Sequence, residues 1–212
     1  MNKKYFFRIT GALVCMITLA MGVGYYFAGY YQSTARPDVE GLLWPNPKQL
    51  QAFTTIDQDG NVFGPEQLRG KWSFLFFGYT HCPDVCPLTL AVLNEFFNQV
   101  KDQYQDLQVV FVTIDPQRDN AQRLKKYVNY FNPEFIGLGG NLEQITGLTS
   151  QLGIVFQYGE KSQDGNYTVE HSAAIFLTDP AGRVVAVFTA PQLVDSIRDR
   201  YKIIRDFIEL QP

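Results

Sequence analysis

Two cysteines four residues apart, Cys82 and Cys86, carry the clearest chemistry in this 212-residue chain. They stand where an apolar run, residues 72–79, gives way to a predicted helix. Side chains at positions i and i+4 share one helix face, so both sulfurs can reach the same point. That point lies near the positive end of the helix dipole, which favours a thiolate over a thiol. The pair therefore suits two tasks, holding a soft metal ion or cycling between dithiol and disulfide.

A purely structural role is the alternative for these cysteines. Cys86 continues an apolar stripe through positions 90, 93, 97 and 100, and free cysteine is common in protein cores. Cys82 fits a core less well, because it stands in a predicted turn. Pro83 and Pro87 each follow a cysteine and stiffen the loop, which is typical of a preorganised site. The three intervening residues differ from the two of a thioredoxin motif.

The chain has only two histidines, and one of them can complete a metal site. His171 precedes the predicted strand Ala173–Thr178, and as a parallel neighbour that strand would bring it near the cysteines. A locally bonded loop histidine is the alternative. We expect His81 to lie outside the ligand set, because adjacent side chains rarely converge on one ion. Two sulfurs and one imidazole favour copper, since structural zinc normally takes four protein ligands.

Asp115 is a further candidate, because it ends a second apolar strand and can face the same rim of the sheet as Cys82. A carboxylate in that position would orient a ligand or contact a partner. The alternative is a simple turn into the next helix, with Asp119 as its N-cap residue.

The surrounding periodicity predicts the elements that position these residues. Apolar runs typical of buried strands occur at residues 72–79 and 107–114, with an amphipathic helix between them, which predicts a parallel βαβ unit. The other expected elements are hairpins at Asp59-Gly60 and Asp164-Gly165, helices from Asp119 and over Asn141–Leu152, strands Ala173–Thr178 and Arg183–Thr189, and a last helix after Pro191. Together they predict an α/β, thioredoxin-like fold with an N-terminal β-hairpin and an additional β-hairpin insertion.

An apolar N-terminal segment predicts one transmembrane helix. Ile9–Tyr31 holds no charged residue, and as a helix it would measure roughly 35 Å, enough to cross a hydrocarbon core of about 30 Å. Lys3, Lys4 and Arg8 precede it, so we expect the N-terminus in the cytoplasm and the rest of the chain outside. A cleaved signal peptide is the alternative, but no small-x-small cleavage site follows the run. Cys15, inside the run, is expected to be a free thiol.

Charge and composition divide the chain further. Residues 1–31 carry +3, which leaves −6 of the net charge of −3 for residues 32–212. That part has no basic tract, which argues against nucleic-acid binding.

We predict a cytoplasmic tip and anchor over 1–31, a proline-containing linker over 32–50 and a folded domain over 51–212. An oxidising compartment would allow a disulfide between the two cysteines, so metal binding there would require a thiol reductant.

Three segments together resemble the Sco (SCO1/SenC) family of copper-binding assembly factors for cytochrome c oxidase. They are GYTHCPDVCP at 78–87, TIDPQRD at 113–119 and YTVEHS at 167–172, and the likeness extends in order over roughly residues 50–210. The resemblance implies one copper ion per chain, Cu(I) or Cu(II), bound by Cys82, Cys86 and His171, with Asp115 near the site. Glu170 stands where many members have Asp, and this departure removes no ligand.

The resemblance implies a membrane-anchored copper metallochaperone that delivers copper, or electrons, to the dinuclear copper site of cytochrome c oxidase subunit II. A copper-delivering chaperone would supply the ion, and the expected location is the bacterial inner membrane, with a single pass and the domain in the periplasm. The alternative is a thiol–disulfide reductase acting on partner cysteines through Cys82 and Cys86. A peroxidase is disfavoured, because Thr80 and Cys82 have one residue between them where peroxiredoxins have two.

Overall fold

The computed structural model describes residues 13–27 and 43–210, with the side chains of 43–45 excepted. Residues 13–27 form a helix, α1, which belongs to a separate compact unit from the one spanning Val39–Arg205. Among the described residues, no helix has both the length and the apolar character that a membrane span requires. The ends of the predicted anchor, and residues 32–42 of the predicted linker, lie outside the described residues.

The larger unit alternates strands and helices. Its strands are β1 Leu43–Gln49, β2 Thr55–Asp57, β3 Val62–Phe63, β4 Trp72–Gly78, β5 Leu107–Thr113, β6 Ile136–Gly139, β7 Phe156–Tyr158, β8 Val169–His171, β9 Ile175–Thr178 and β10 Arg183–Phe188. Its helices are α2 Val85–Val100, α3 Ala121–Phe131, α4 Leu142–Gln151 and α5 Val194–Glu209, with a 3₁₀ turn at Pro65–Gln67. This order confirms the predicted α/β, thioredoxin-like arrangement.

Eight of these strands form one sheet in the order β1-β10-β9-β4-β5-β6-β2-β3. Strands β4, β5 and β6 run parallel, and the remaining pairs are antiparallel. Both predicted hairpins form: β2 pairs with β3, and β7 pairs with β8 in a small sheet of its own. The central position of β4 and β5 explains why both are buried along their whole length.

Two strands were not predicted. Strand β1 lies inside the predicted linker 32–50 and pairs with β10, so the sheet begins before residue 51. Its two prolines conceal it, but an edge strand tolerates proline because one side of its backbone has no partner strand. Strand β6 carries Gly137 and Gly139, residues that disfavour strands. A Cβ atom on either would come within 3.1 Å of a side chain of α3, so glycine lets that helix pack closely.

Aromatic side chains fill the core on the face of the sheet that carries Phe74. Tyr201 of α5 lies with its ring centroid 5.4 Å from that of Phe74 and 5.7 Å from that of Phe96 on α2. Successive strand residues point to opposite faces, so Phe77 packs on the other face, against Phe176 of β9. This packing fixes the carboxyl ends of β4 and β5, where the candidate site lies.

Candidate metal centre

The two cysteines lie at the junction between β4 and α2. Helix α2 begins at Val85, so Cys86 lies in its first turn, fully buried, while Cys82 lies in the preceding loop, partly exposed. The backbone N–H of Cys86 donates to Cys82 Sγ at 3.4 Å, and the backbone N–H of Cys82 donates to the carbonyl of Tyr79 at 3.2 Å. Both cysteines are free thiols. The junction thus holds the Cys82 sulfur over the helix N-terminus, as the sequence predicted.

Gly78, the last residue of β4, makes room for the buried sulfur. A Cβ atom at this position would lie 2.8 Å from Cys86 Sγ and 2.9 Å from the ring of Phe111. Both distances are shorter than van der Waals contact. Any side chain at Gly78 would therefore displace Cys86.

His171 lies just before β9, the strand that pairs with β4 on the edge opposite β5. Strand β9 is antiparallel to β4, with Ile175 opposite Phe76, so the chain just before β9 lies at the carboxyl end of β4. This corrects the predicted parallel neighbour. His171, the last residue of β8, lies with its Nε2 atom 3.7 Å from Cys86 Sγ. Cys86 and His171 are 85 residues apart in sequence, and the antiparallel pairing of β9 with β4 brings them together.

The hydrogen bond made by Nδ1 of His171 determines whether Nε2 carries a proton. His171 Nδ1 lies 2.8 Å from the carbonyl oxygen of Ser172. A carbonyl can only accept a hydrogen bond, so Nδ1 carries the proton and Nε2 of the neutral ring keeps a free lone pair. That lone pair faces the sulfurs, which is the arrangement common among metal-binding histidines.

The two thiols differ strongly in acidity. A hydrogen bond from the Cys86 thiol lowers the pKa of Cys82 to about 3; burial opposes this shift, and hydrogen bonds from the backbone N–H groups of Cys86 and Asp84 assist it. The same hydrogen bond, with burial, raises the pKa of Cys86 far above its ordinary value. The pair therefore holds one negative charge over a wide pH range, mainly on the more exposed sulfur. A thiolate is the form that binds metal and attacks disulfides.

The distances allow one ion to contact both Cys86 and His171. Metal–sulfur and metal–imidazole bonds are about 2.3 and 2.0 Å for zinc, so the two donor atoms must lie within about 4.3 Å of each other. The observed separation of 3.7 Å meets that condition. Among the residues that the structure describes, no three His, Cys, Asp or Glu side chains form a ready-made metal cluster. Cys86 thus lies near His171, but the three candidate ligands do not form a preorganised three-coordinate site.

Asp115 lies behind the site and holds the hairpin that carries His171. Its side chain is fully buried, so it has no surface for a partner, which corrects one of its two predicted roles. Its carboxylate accepts from Arg118 Nε and, at 2.8 Å, from the hydroxyl of Tyr167. Arg118 also donates to the backbone carbonyl of Tyr167 at 2.9 Å, and its guanidinium carbon lies 3.5 Å from the Tyr167 ring centroid. We call Asp115, Arg118 and Tyr167 the hairpin clamp.

The clamp also contacts the cysteine loop. The Arg118 guanidinium lies 5.7 Å from the ring centroid of Tyr79, whose ring in turn packs edge-on against His171 at 6.1 Å. Arg118 and Tyr167 lie within the sequence motifs at 113–119 and 167–172, but those motifs predicted no role for either residue. The detectable signal was the three-residue spacing of Asp115 and Arg118, which suits a local ion pair, whereas the contact with Tyr167 spans 49 residues.

The ring nitrogens of His81 contact residues other than the two cysteines. Its Nε2 accepts from Arg123 at 2.6 Å, and its Nδ1 lies 3.4 Å from the hydroxyl of Thr80. Its expected place outside the ligand set stays a prediction. The Thr80 hydroxyl donates to Asp119, so it is not directed at Cys82 as a peroxidase threonine would be.

Asp119 is not the helix cap that the sequence predicted. The N-cap of α3 is Asn120, whose side chain accepts from the backbone N–H of Arg123. Asp119 is buried one residue earlier and accepts from the backbone and hydroxyl of Thr80 and from the hydroxyl of Thr113. It therefore ties the loop before Cys82 to the end of β5.

Comparisons with known proteins point to one family. The SCO1/SenC family model matches residues 45–206. A Stutzerimonas stutzeri protein described as copper-binding is 38% identical over 158 residues, covering 74% of this chain and 77% of that protein. The human protein SCO2 homolog, mitochondrial, is 34% identical over 152 residues, covering 69% of this chain and 57% of that protein.

Solved structures give the same result. Arabidopsis thaliana ScoI with copper bound has a TM-score of 0.69 and 32% identity, covering 75% of this chain and 98% of that one. Yeast Sco1 with copper bound has a TM-score of 0.68 and 31% identity, covering 74% of this chain and 87% of that one. The range that the family model matches, residues 45–206, includes the cysteine loop and the hairpin that carries His171.

Proposed function

This chain belongs to the SCO1/SenC family, and on that premise we propose that it is a membrane-anchored metallochaperone with copper as its cargo. The proposed ligands are Cys82, Cys86 and His171, with one ion per chain. The observation that carries the proposal is the approach of His171 Nε2 to within 3.7 Å of Cys86 Sγ. Copper bound in two related solved structures supports the choice of metal.

The donor set suits transfer better than storage. Soft thiolates with an imidazole favour copper, and three protein ligands leave room for a further ligand from the recipient. Cys82 is the accessible thiolate and Cys86 is fully buried. An incoming thiolate would approach from the Cys82 side, and the ion would pass through an intermediate that shares ligands with the recipient.

The recipient and the location complete the proposal. We assign the dinuclear copper site of cytochrome c oxidase subunit II as the destination and a copper-delivering chaperone as the source. The proposed location is the bacterial inner membrane, with a single-pass anchor over residues 1–31, a cytoplasmic N-terminus and the domain in the periplasm. The uncharged run Ile9–Tyr31, preceded by three basic residues, supports this topology.

Metal titration of the full-length protein tests the ligand set. His171→Ala should weaken copper binding at least about tenfold, because it removes a ligand from the set. The Cu(II) complex of the parent should show a strong sulfur-to-copper charge-transfer band that is lost in Cys82→Ser and Cys86→Ser. His81→Ala is the matched control and should bind copper as the parent does. Equal copper affinity in His171→Ala and the parent would refute the proposed site.

A second function, thiol–disulfide reductase, is favoured by a separate observation. The pKa of Cys82 is lowered to about 3 by its hydrogen bond from Cys86, an asymmetry typical of an attacking thiolate with a buried partner. This role requires both cysteines and does not require His171. If His171→Ala loses copper binding but keeps its rate of disulfide exchange, the two functions separate within one site.

A further inference from the structure

A cleft of about 560 Å³ opens beside the cysteine loop, between that loop and helix α3. Thr80 lines it on the loop side, and Arg123, Lys126, Tyr127 and Tyr130 line it from the helix. Tyr130 is 83% exposed, so its ring is accessible to a partner. The cleft therefore combines two cations with an aromatic surface. Thr80, on its loop side, is two residues before Cys82.

The cations of the cleft differ from their neighbours in having no acidic partner. Lys125, one residue before Lys126, is paired with Asp59 at 2.6 Å. No carboxylate of the described residues forms an ion pair with Arg123 or Lys126, and the Arg123 guanidinium donates instead to His81 Nε2. Arg123 and Lys126 are therefore two positive charges on α3 without an acidic partner among the described residues. Residues 32–212, to which they belong, carry a net charge of −6.

The contact between Arg123 and His81 connects the cleft to the reactive loop. Arg123 donates to His81 Nε2 at 2.6 Å, and His81 is the residue directly before Cys82. A group bound between Arg123 and Lys126 would therefore lie beside the loop that carries Cys82. Opposite charges at such a position raise the association rate and select among partners.

We infer that this cleft is the docking surface for an acidic segment of the partner that exchanges thiols or metal with Cys82. The occupant is a partner segment with Asp or Glu side chains flanking its reactive cysteine. The two cations would pair with its carboxylates, and Tyr130 would pack on its apolar atoms. The inference rests on the proposed exchange role of Cys82, and it adds the chemical class of the partner.

Peptides carrying an activated cysteine provide a direct test with the full-length, reduced protein in a Cys15→Ser background. The peptide sulfur is joined by a disulfide to a coloured aryl thiol and is flanked either by Glu or by Lys. The Cys82 thiolate attacks the peptide sulfur, a new sulfur–sulfur bond forms, and the old one breaks to release the aryl thiolate. One thiolate is consumed and one is produced, so the reaction needs no added oxidant or reductant.

Charge reversal at the cleft should change the preference between peptides. Lys126→Glu is expected to slow the reaction of the Glu-flanked peptide about threefold to tenfold at low salt and to speed that of the Lys-flanked peptide. Both effects should shrink above about 0.5 M salt, where screening acts within a few ångströms. Comparing proteins on the same peptide cancels the intrinsic reactivity of each peptide.

Lys71→Glu is the matched control, because Lys71 is exposed and precedes β4 at the opposite end of the strand from the cysteines. It makes the same change in net charge and should alter both rates less than twofold. Equal effects of the two variants, or no change in the rate of either peptide in Lys126→Glu, would overturn the inference. Copper titration of Lys126→Glu should match the parent. A parent that binds no copper but prefers the Glu-flanked peptide would refute the copper role and leave the docking surface intact.

Discussion

Cys82 lies with its sulfur between two donors supplied by one residue, the backbone N–H and the thiol of Cys86. This local arrangement lowers the pKa of Cys82 to about 3, whereas an ordinary cysteine has a pKa of about 8.5. A lowered pKa means that the charged form is favoured, so the thiolate should persist as pH falls from 8 to 5. The buried Cys86 remains protonated over the same interval, because its pKa is raised.

Alkylation should reveal this asymmetry. In a Cys15→Ser background, the rate at which iodoacetamide modifies Cys82 should change little between pH 5 and pH 8, while that of a free thiol rises about a thousandfold. Peptide mass spectrometry would locate the modified residue. In Cys82→Ser, the remaining Cys86 should react slowly and faster as pH rises. A tenfold rise per pH unit at Cys82 would contradict the proposed thiolate.

Gly78 provides a second prediction for a single residue. Gly78→Ala would place a methyl group 2.8 Å from Cys86 Sγ, and crowding of this kind in a packed core costs about 1–3 kcal/mol of unfolding free energy. Copper affinity should fall with it, because Cys86 must move away from His171. Gly147→Ala is the control: nothing lies within 4 Å of the new methyl group, and α4 should be equally or more stable. Thermal melts and copper titrations of both variants provide the measurement.

Among the elements, the β7–β8 hairpin has the greatest effect on the site, because it carries His171. The hairpin forms a two-stranded sheet of its own, and isolated hairpins are only marginally stable. The clamp supplies the missing support: Arg118 contacts the Tyr167 ring and carbonyl, and Asp115 accepts from the Tyr167 hydroxyl. The position of His171 therefore depends on residues that do not contact the sulfurs.

Loosening the clamp should separate copper binding from thiol chemistry. Arg118→Lys keeps a positive charge for the buried Asp115 but loses the planar fork and the stacking on Tyr167. Copper affinity should fall about tenfold, as is usual when support for a ligand is lost, and amides of the hairpin should exchange hydrogen faster. The alkylation rate of Cys82 should stay as in the parent.

The control for this prediction is Arg69→Lys, since Arg69 forms only an exposed pair with Glu66 and such pairs contribute little. It should leave copper affinity and hydrogen exchange unchanged. If Arg118→Lys also binds copper like the parent, the hairpin is held by other contacts and the clamp has no positioning role.

At the scale of the whole molecule, the sheet requires an edge strand that lies outside the predicted domain. Strand β1 covers β10, and the next residue, Leu50, is buried in the core. A chain beginning at Gln51 would lose both and would leave the edge of β10 open. Open edges also invite pairing between molecules.

Truncation measures this contribution. A chain beginning at Val39 should melt about 4–8 °C higher than one beginning at Gln51, which corresponds to a loss of about 2 kcal/mol for a domain of this size. The shorter chain should also form more oligomer at high concentration. Circular dichroism melts and light scattering would report both effects, and equal melting temperatures would show that β1 adds nothing to stability.

Local patterns in the amino-acid sequence specify the features that depend on near neighbours along the chain. Spacing brought Cys82 and Cys86 together at the start of α2, although Cys82 lies in the loop before the helix and not on its face; continuous apolar runs identified β4 and β5, and Asp-Gly pairs located both hairpins. Family resemblance, carried by three short motifs, gave the fold and the family. These are periodicities and turn preferences, which act over a few residues and can be read locally.

How distant segments meet is visible in the three-dimensional arrangement and not in any local pattern. This arrangement shows that His171 arrives on an antiparallel return beside β4, that Asp115 is buried under a clamp, and that β6 needs glycines so that α3 can approach. It also placed Arg123 and Lys126 beside the cysteine loop. The physical reason is that strand pairing and side-chain packing join residues tens of positions apart, and their geometry depends on the whole sheet, which no local pattern specifies.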